Sequence, residues 1–200
     1  MSLNVAIQMD HPKGINPEKD STYVLGLEAQ KRGHKLAYYN TDSLSLKNGN
    51  ITANCAPLMF HDDKTNHYEL GSFSQKDLKS FDIILMRNDF NDPLSYTAMT
   101  HMLDHVKSET LILNDPTGTR ESPEKMLITH YPDLAPKTLI TRNLDDIKAF
   151  AEELGDLIIK PLNGFGGMGV YHISKDDENL SSVYEMLCAL HSEPFVVQQY

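Results

Sequence analysis

The residues with the most chemical content lie between positions 158 and 170, which read Ile-Ile-Lys-Pro-Leu-Asn-Gly-Phe-Gly-Gly-Met-Gly-Val. An apolar run delivers Lys160, Pro161 stiffens the exit, and Gly164, Gly166, Gly167 and Gly169 follow closely. Glycine lets backbone N–H groups turn toward an anion with no Cβ in the way, and a neighbouring ammonium supplies a point charge for the same oxygens. That is the chemistry of a phosphate cradle. The pattern is not a P-loop, because no Gly-Lys-Ser/Thr closes it, and it falls between two predicted strands rather than between a strand and a helix. A flexible hairpin carrying a surface lysine fits the same residues, and the segment alone leaves both readings open. Lys125 lies upstream in Glu121-Ser122-Pro123-Glu124-Lys125; taken alone it reads as a solvated helix residue.

Other titratable groups read as structure. His61, Asp62, Asp63 and His67 fall in one polar stretch and read as solvated surface rather than a metal site. His101 and His105 have the i,i+4 spacing of zinc ligands on a helix, but Met102 stands where the protease motif needs Glu, so they read as a helix face. Tyr38-Tyr39, Met99 and Met102 read as packing residues. Cys55 and Cys188 are the only cysteines and predict reduced thiols, not a disulfide framework.

The elements that position these residues alternate. Leu3, Val5, Ile7 and Met9 have strand periodicity; after a polar loop, Asp20-Ser21 offers an N-cap for a helix stopped by Gly33. Residues 35–39 form a second strand. Asn48-Gly49-Asn50 is a hairpin turn between residues 44–46 and 51–53. Residues 82–86 are a continuous apolar run, as a sheet covered on both faces needs, followed by a helix through Tyr96, Met99, Met102, Leu103 and Val106 and a strand at 111–113. This order predicts a doubly wound α/β domain with a largely parallel sheet, whose ligands meet the loops after Met9, Met86 and Leu113. The Pro/Gly/Thr/Ser-rich stretch 114–123 marks a boundary, giving domains 1–122 and 123–200. The second starts with a short helix at 124–129. It continues with strands at 138–141, 156–160 and 170–173, helices at 144–154 and 180–190, and a strand from Phe195 to the last residue. That last strand has no closing turn, which predicts that the chain is part of a longer protein.

The 200 residues carry 28 acidic against 18 basic side chains, a formal net charge of −10. Such a balance repels polyphosphate backbones and anionic lipid, so neither nucleic acid nor membrane is an expected partner. It leaves room for a small anionic ligand in a local positive pocket. The N-terminal segment lacks the apolar block of a signal peptide, and no apolar run is long enough to span a bilayer.

The order of early lysine, strand-borne lysine, glycine loop and a strand ending in polar residues resembles the ATP-grasp enzymes, and within them the bacterial glutathione synthetases. The resemblance covers the whole chain. It is carried by residues 5–10, Lys19-Asp20-Ser21, residues 27–33, Ile84-Leu85-Met86-Arg87, Asn114-Asp115-Pro116, Glu124-Lys125, residues 138–142 and residues 160–167. It implies an N-terminal α/β substrate-binding domain (pre-ATP-grasp, 1–122) followed by an incomplete ATP-grasp α+β domain, the first of two subdomains (123–200). Lys125 and Lys160 would contact ATP phosphates, Gly164, Phe165, Gly166 and Gly167 would close over them, and Gln198, Gln199 and Tyr200 would meet the adenine edge. Ser21, Arg87 and Asp89 would line the peptide side. The implied substrates are γ-glutamylcysteine, glycine and ATP, with Mg²⁺ held by residues beyond position 200, in a cytoplasmic homotetramer. Residues 1–200 alone would then bind nucleotide weakly or not at all and would not turn over.

The chain departs from the family pattern after Arg87. Where members continue Lys-Asp-Pro-Pro-Phe-Asp, Asn88-Asp89-Phe90-Asn91-Asp92 keeps an acidic residue and loses the double proline. Asn163 stands for the usual Asp, and Met168-Gly169 replaces smaller residues. Two rival readings remain: an ATP-grasp carboxylate–amine ligase joining another amino acid, and a noncatalytic nucleotide-binding module.

Overall fold

The computed structural model describes residues 1–89, 92–164 and 166–200, and the chain falls into two compact units, Met1–Glu121 and Ser122–Tyr200. In the first, β1 (Asn4–Gln8), α1 (Ser21–Lys31) and β2 (Lys35–Tyr39) form a strand-helix-strand start. They are followed by β3 (Ser45–Lys47), β4 (Asn50–Phe60), β5 (Tyr68–Leu70) and β6 (Ser74–Asp77). The unit closes with β7 (Ile83–Met86), α2 (Pro93–Leu103), β8 (Leu111–Leu113) and α3 (Pro116–Glu121).

The ends of α1 follow from its sequence. The Asp20 carboxylate accepts from the Thr22 and Tyr23 amides at its start. At its end Gly33, at φ +81°, lets its own N–H reach Gln30 O and the His34 N–H reach Ala29 O. The orphan carbonyls of the last turn are thereby satisfied.

The sheet runs β3-β4-β2-β1-β7-β8, with β5 and β6 also paired to β4. Its parallel centre is β2-β1-β7-β8. Alternation along β1 sends Val5 and Ile7 to a core that includes Tyr23 of α1, and Ala6 to a core with Met99 and Leu103 of α2. The two helices therefore cover opposite faces, which is the doubly wound arrangement. The chain leaves β1 toward β2 on one side and returns as β7 on the other, so a topological switch point opens at the carboxyl ends of β1 and β7.

An antiparallel flank extends this parallel centre. The turn at Asn48 (φ +52°) and Gly49 (φ +80°) joins β3 to β4 as the sequence predicts. However, β4 continues for eleven residues to Phe60, and β5 and β6 pair with it. The run through Asn54, Ala56 and Pro57 hides this strand, since these residues are poor strand formers and proline has no N–H for a ladder.

The second unit holds α4 (Glu124–Leu127), β9 (Thr138–Thr141), α5 (Leu144–Leu154), β10 (Leu157–Pro161), β11 (Tyr171–Ile173), α6 (Leu180–Leu190) and β12 (Phe195–Gln199). Its sheet is antiparallel, in the order β11-β10-β12-β9. Leu157, Ile159, Phe195 and Val197 turn one face onto Ile147 and Ala151 of α5 and Leu180 and Leu187 of α6. Arg142 is structural here: its guanidinium donates to the carbonyls of Cys188, His191 and Glu193 around the end of α6.

The tightest approach in the first unit is at Gly26, where a Cβ would lie 2.3 Å from Phe60 Cδ2. Alanine in a helix gains up to about 1 kcal/mol over glycine, but overpacking a filled core costs about 1–3 kcal/mol. Because Phe60 is only 2% exposed and cannot swing into solvent, the clash wins. Gly26→Ala is expected to lower the urea unfolding midpoint; an unchanged or raised midpoint would contradict this packing of α1 on β4.

Candidate functional site

In β10 the buried residues are Leu157, Ile159 and Pro161, while Ile158 and Lys160 point to the face away from α5 and α6. The pairing with β11 ends at Ile159–Tyr171, so Lys160 and Pro161 have only β12 beside them, opposite Val196 and Phe195. The glycine-rich segment folds back at this vacated edge. Gly166, Gly167 and Gly169 have φ of +62°, +79° and +71°, a region that L side chains rarely adopt and in which successive N–H groups can converge on an anion. The Pro161 ring is the floor: a Cβ at Gly169 would lie 3.1 Å from it and one at Gly164 3.4 Å.

Lys125, just inside α4, donates from Nζ to the Gly164 carbonyl at 2.5 Å. Lys125, Lys160, Glu124, Gly164, Gly166 and Gly167 line one hollow of about 180 Å³. Burial and then the neighbouring Lys125 charge lower the Lys160 pKa, with Glu124 opposing them. The hollow thus holds two lysines and one carboxylate, an electrostatic state that a bound anion would relieve. Of the sequence-predicted residues, Lys125, Lys160, Gly164, Gly166 and Gly167 meet here; Phe165 lies outside the described residues. Gln198, Gln199 and Tyr200 do not line the hollow. Gln198 and Gln199 occupy the far end of β12 and Tyr200 follows it, three residues along the ladder from the Lys160–Val196 pair to Leu157–Gln199, or about 10 Å at strand rise. There Gln198 Nε2 donates to Thr138 Oγ1 at 2.9 Å, and the amides of Gln199 and Tyr200 bond to Lys137 O and Asp156 O. Glu124 and Pro161 were missed as lining residues, although both adjoin residues singled out in the sequence.

The first unit has its own polar crevice. Arg87 follows β7 directly, and its N–H donates to Gln8 O at 2.7 Å. Its guanidinium donates to Ser21 Oγ at 2.7 Å and Thr22 Oγ1 at 3.0 Å, so two hydroxyls in the first turn of α1 aim it. The Asp89 amide faces Asp10 Oδ2 at 3.4 Å. Arg87 and Asp89 line a hollow of about 190 Å³ with Asp10 and Thr22. An adjoining cleft of about 450 Å³ is lined by Asp10, Asp42, Asn88, Asp89 and Asp92 among others. Ser21, Arg87 and Asp89 therefore gather at the switch point. Missed in the sequence was Gln8, a fully buried amide ending an apolar strand, together with its partners Tyr39 and Asn88.

The remaining candidates are structural. Asp63 accepts from Thr65 and Asn66, His67 bonds to Pro12 O, and His101 lies 3.9 Å from Asp104. Among the described residues no group of three or more His, Cys, Asp or Glu side chains could hold a metal ion. Both cysteines are free, and burial pushes the Cys55 thiol up to about 11. No helix of the described residues is long and apolar enough to cross a membrane.

Two family models match the chain: the prokaryotic glutathione synthetase N-terminal domain at residues 3–120, and the prokaryotic glutathione synthetase ATP-grasp domain at residues 124–200. Among curated relatives, the glutathione synthetases of Brucella melitensis biotype 1 and Mesorhizobium japonicum are 45% and 42% identical over 200 residues. Both alignments take in 100% of this chain and 64% of the relative, so the chain spans just under two-thirds of their length. Among solved structures, D-alanyl-alanine synthetase A from Vibrio cholerae aligns with a TM-score of 0.62 at 12% identity, over 100% of this chain and 61% of that one. A RimK domain ATP-grasp protein from Sphaerobacter thermophilus gives 0.62 at 18%, over 98% and 64%. At these identities the likeness is one of fold, and that fold is ATP-grasp.

The lowered Lys160 pKa has a consequence for stability. The folded chain holds this proton less tightly than the unfolded one, so the cost is fully present below the folded pKa and disappears as pH rises past the ordinary lysine value of 10.5. Lys160→Met is therefore expected to raise the thermal midpoint at pH 7, with the gain shrinking toward pH 10.5. An equal or lower midpoint at pH 7 would show that the hollow does not penalise the cation.

Proposed function

The chain belongs to the prokaryotic glutathione synthetase family, and from that premise we propose that it carries the dipeptide site and the first part of the ATP site of a glutathione synthetase. In this proposal residues 1–122 are the substrate-binding domain and residues 123–200 the first ATP-grasp subdomain. The observation that carries it is the meeting of Lys125, Lys160, Gly164 and the left-handed Gly166 and Gly167 in one hollow.

The proposed reaction joins glycine to γ-glutamylcysteine. A cysteinyl carboxylate oxygen attacks the γ-phosphorus of ATP, the bond to the β–γ bridging oxygen breaks, and ADP leaves. The glycine amine then attacks the acyl carbon, loses a proton and expels phosphate as the amide forms. Phosphoryl transfer of this kind needs positioning and charge neutralisation more than a side-chain nucleophile. Lys125 and Lys160 supply cations at the phosphate oxygens, and the glycine segment excludes water from the acyl phosphate. The separation of about 10 Å along β10 and β12 suits an extended nucleotide, with its phosphates at Lys160 and its base at Gln198, Gln199 and Tyr200. Since the Gln199 and Tyr200 amides are committed to the sheet, carbonyl oxygens and side chains are left to meet the purine. Mg²⁺ would neutralise phosphate charge when bound, but the described residues offer no ligand cluster for it, and no step is assigned to it.

Ser21, Arg87 and Asp89 would hold the dipeptide, with the Arg87 guanidinium taking a carboxylate. The proposal extends to a cytoplasmic homotetramer that binds neither nucleic acid nor membrane, in keeping with the net charge of −10.

A charge-assisted hydrogen bond contributes about 1.5–3 kcal/mol, so in the protein at the full length of its relatives Lys160→Ala or Lys125→Ala is expected to weaken ATP binding by about 10- to 150-fold in calorimetric titration. Unchanged affinity would remove that lysine from the role. ADP release, measured in the protein at the full length of its relatives, should require ATP, γ-glutamylcysteine and glycine together; release with a different acceptor alone would keep the fold and overturn the substrate. Residues 1–200 alone should make no glutathione.

A further inference from the structure

Gln8 ends β1 and is fully buried, and two residues that its amide meets, Asn88 and Met99, line the 450 Å³ cleft. Such an amide must have each end satisfied, and here each end is. Oε1 accepts from Tyr39 Oη at 2.9 Å; Nε2 donates to Asn88 Oδ1 at 2.7 Å and lies 3.1 Å from Met99 Sδ. The thioether settles which way the amide points. Sulfur offers only a weak acceptor, so an amide oxygen placed there would face a second lone pair, whereas the NH₂ group meets a partner. Tyr39 adapts to either orientation, but Met99 does not. With Nε2 fixed toward Asn88, the Asn88 oxygen is held as an acceptor, and among the described residues its Nδ2 makes one long contact, to Asp89 O at 3.4 Å.

Asn88 is half-buried and lines the cleft, where Asp10, Asp42, Asp89 and Asp92 are also found. Hydrogen bonds from Ser95 hold the Asp92 carboxyl below the usual range, so it stays charged. These carboxylates suit an ammonium and repel a carboxylate, unless a donor with fixed direction stands among them.

We infer that Asn88 is a specificity-determining donor for the α-carboxylate of the substrate's γ-glutamyl end, and that buried Gln8 is the positioning residue that keeps its N–H groups turned into the cleft. The inference rests on the dipeptide substrate proposed above. Of that dipeptide's two carboxylates one reacts; the other sits beside an ammonium, the zwitterionic pair that a cleft of aspartates and one fixed amide can take.

The test is calorimetric binding of two probes to the protein at the full length of its relatives: reduced γ-glutamylcysteine, and 4-aminobutyryl-cysteine, which lacks only the α-carboxylate. Wild type should prefer γ-glutamylcysteine. Asn88→Asp keeps an oxygen for Gln8 and replaces the displayed NH₂ by a charged oxygen. It should cost γ-glutamylcysteine about tenfold or more in affinity, while the analogue, which keeps its ammonium, binds as well or better. Gln8→Glu, checked for folding by circular dichroism, touches no ligand; by turning Asn88 round it should lower the same preference. A folded Gln8→Glu chain with the wild-type preference would overturn the relay. Asn88→Asp losing both probes equally, or neither, would overturn the carboxylate assignment. A wild-type chain that binds neither probe would instead overturn the dipeptide reading and the inference with it.

Discussion

Two lysine ammoniums facing one small hollow are the constraint to which the second unit is fitted. Burial and then the Lys125 charge lower the Lys160 pKa. The surrounding structure holds them there. The antiparallel sheet fixes Lys160 opposite Val196, the early end of β11 vacates the edge beside it, and the Gly164 carbonyl takes the Lys125 ammonium. The apolar packing of α5 and α6 on the opposite face makes that arrangement affordable. A site destabilised by its own charge and supported from behind is what anion binding at a strand end calls for.

The first unit follows the same logic with a different group. Parallel strands buried on both faces carry their polar side chains at their ends, and at the carboxyl ends Gln8, Tyr39 and Asn88 satisfy one another while Ser21 and Thr22 aim Arg87. The hydroxyls stand at the start of α1 because Asp20 caps that helix, so a residue with a local folding role also sets the direction of the Arg87 guanidinium.

Much of this was legible in the sequence, for physical reasons. The helices 144–154 and 180–190 and the strand 138–141 could be bounded to the residue; α5, for example, lies between an Asn143 cap and Gly155 at φ +85°. Lys160 and its glycines were visible as one of two open readings of the segment, whereas Lys125, in a short helix, was singled out only by the family resemblance. The antiparallel flank was not legible, since Asn54, Ala56 and Pro57 lack a strand's signature and their pairing is decided by tertiary contact with β2, β5 and β6. Nor was the Gln8 relay: a single glutamine in an apolar run says that a buried partner exists, but its partners Tyr39 and Asn88 stand 31 and 80 residues away.

The claim on which the proposed ligase chemistry depends is that this hollow recognises phosphate charge. Its most direct measurement is the ratio of ATP to AMP affinity, compared between wild type and Lys160→Met by calorimetry. In the protein at the full length of its relatives, ATP should bind far more tightly than AMP in wild type, and the ratio should collapse in the variant while AMP affinity stays nearly constant. An equal ratio in the two proteins would mean that the phosphates are bound elsewhere.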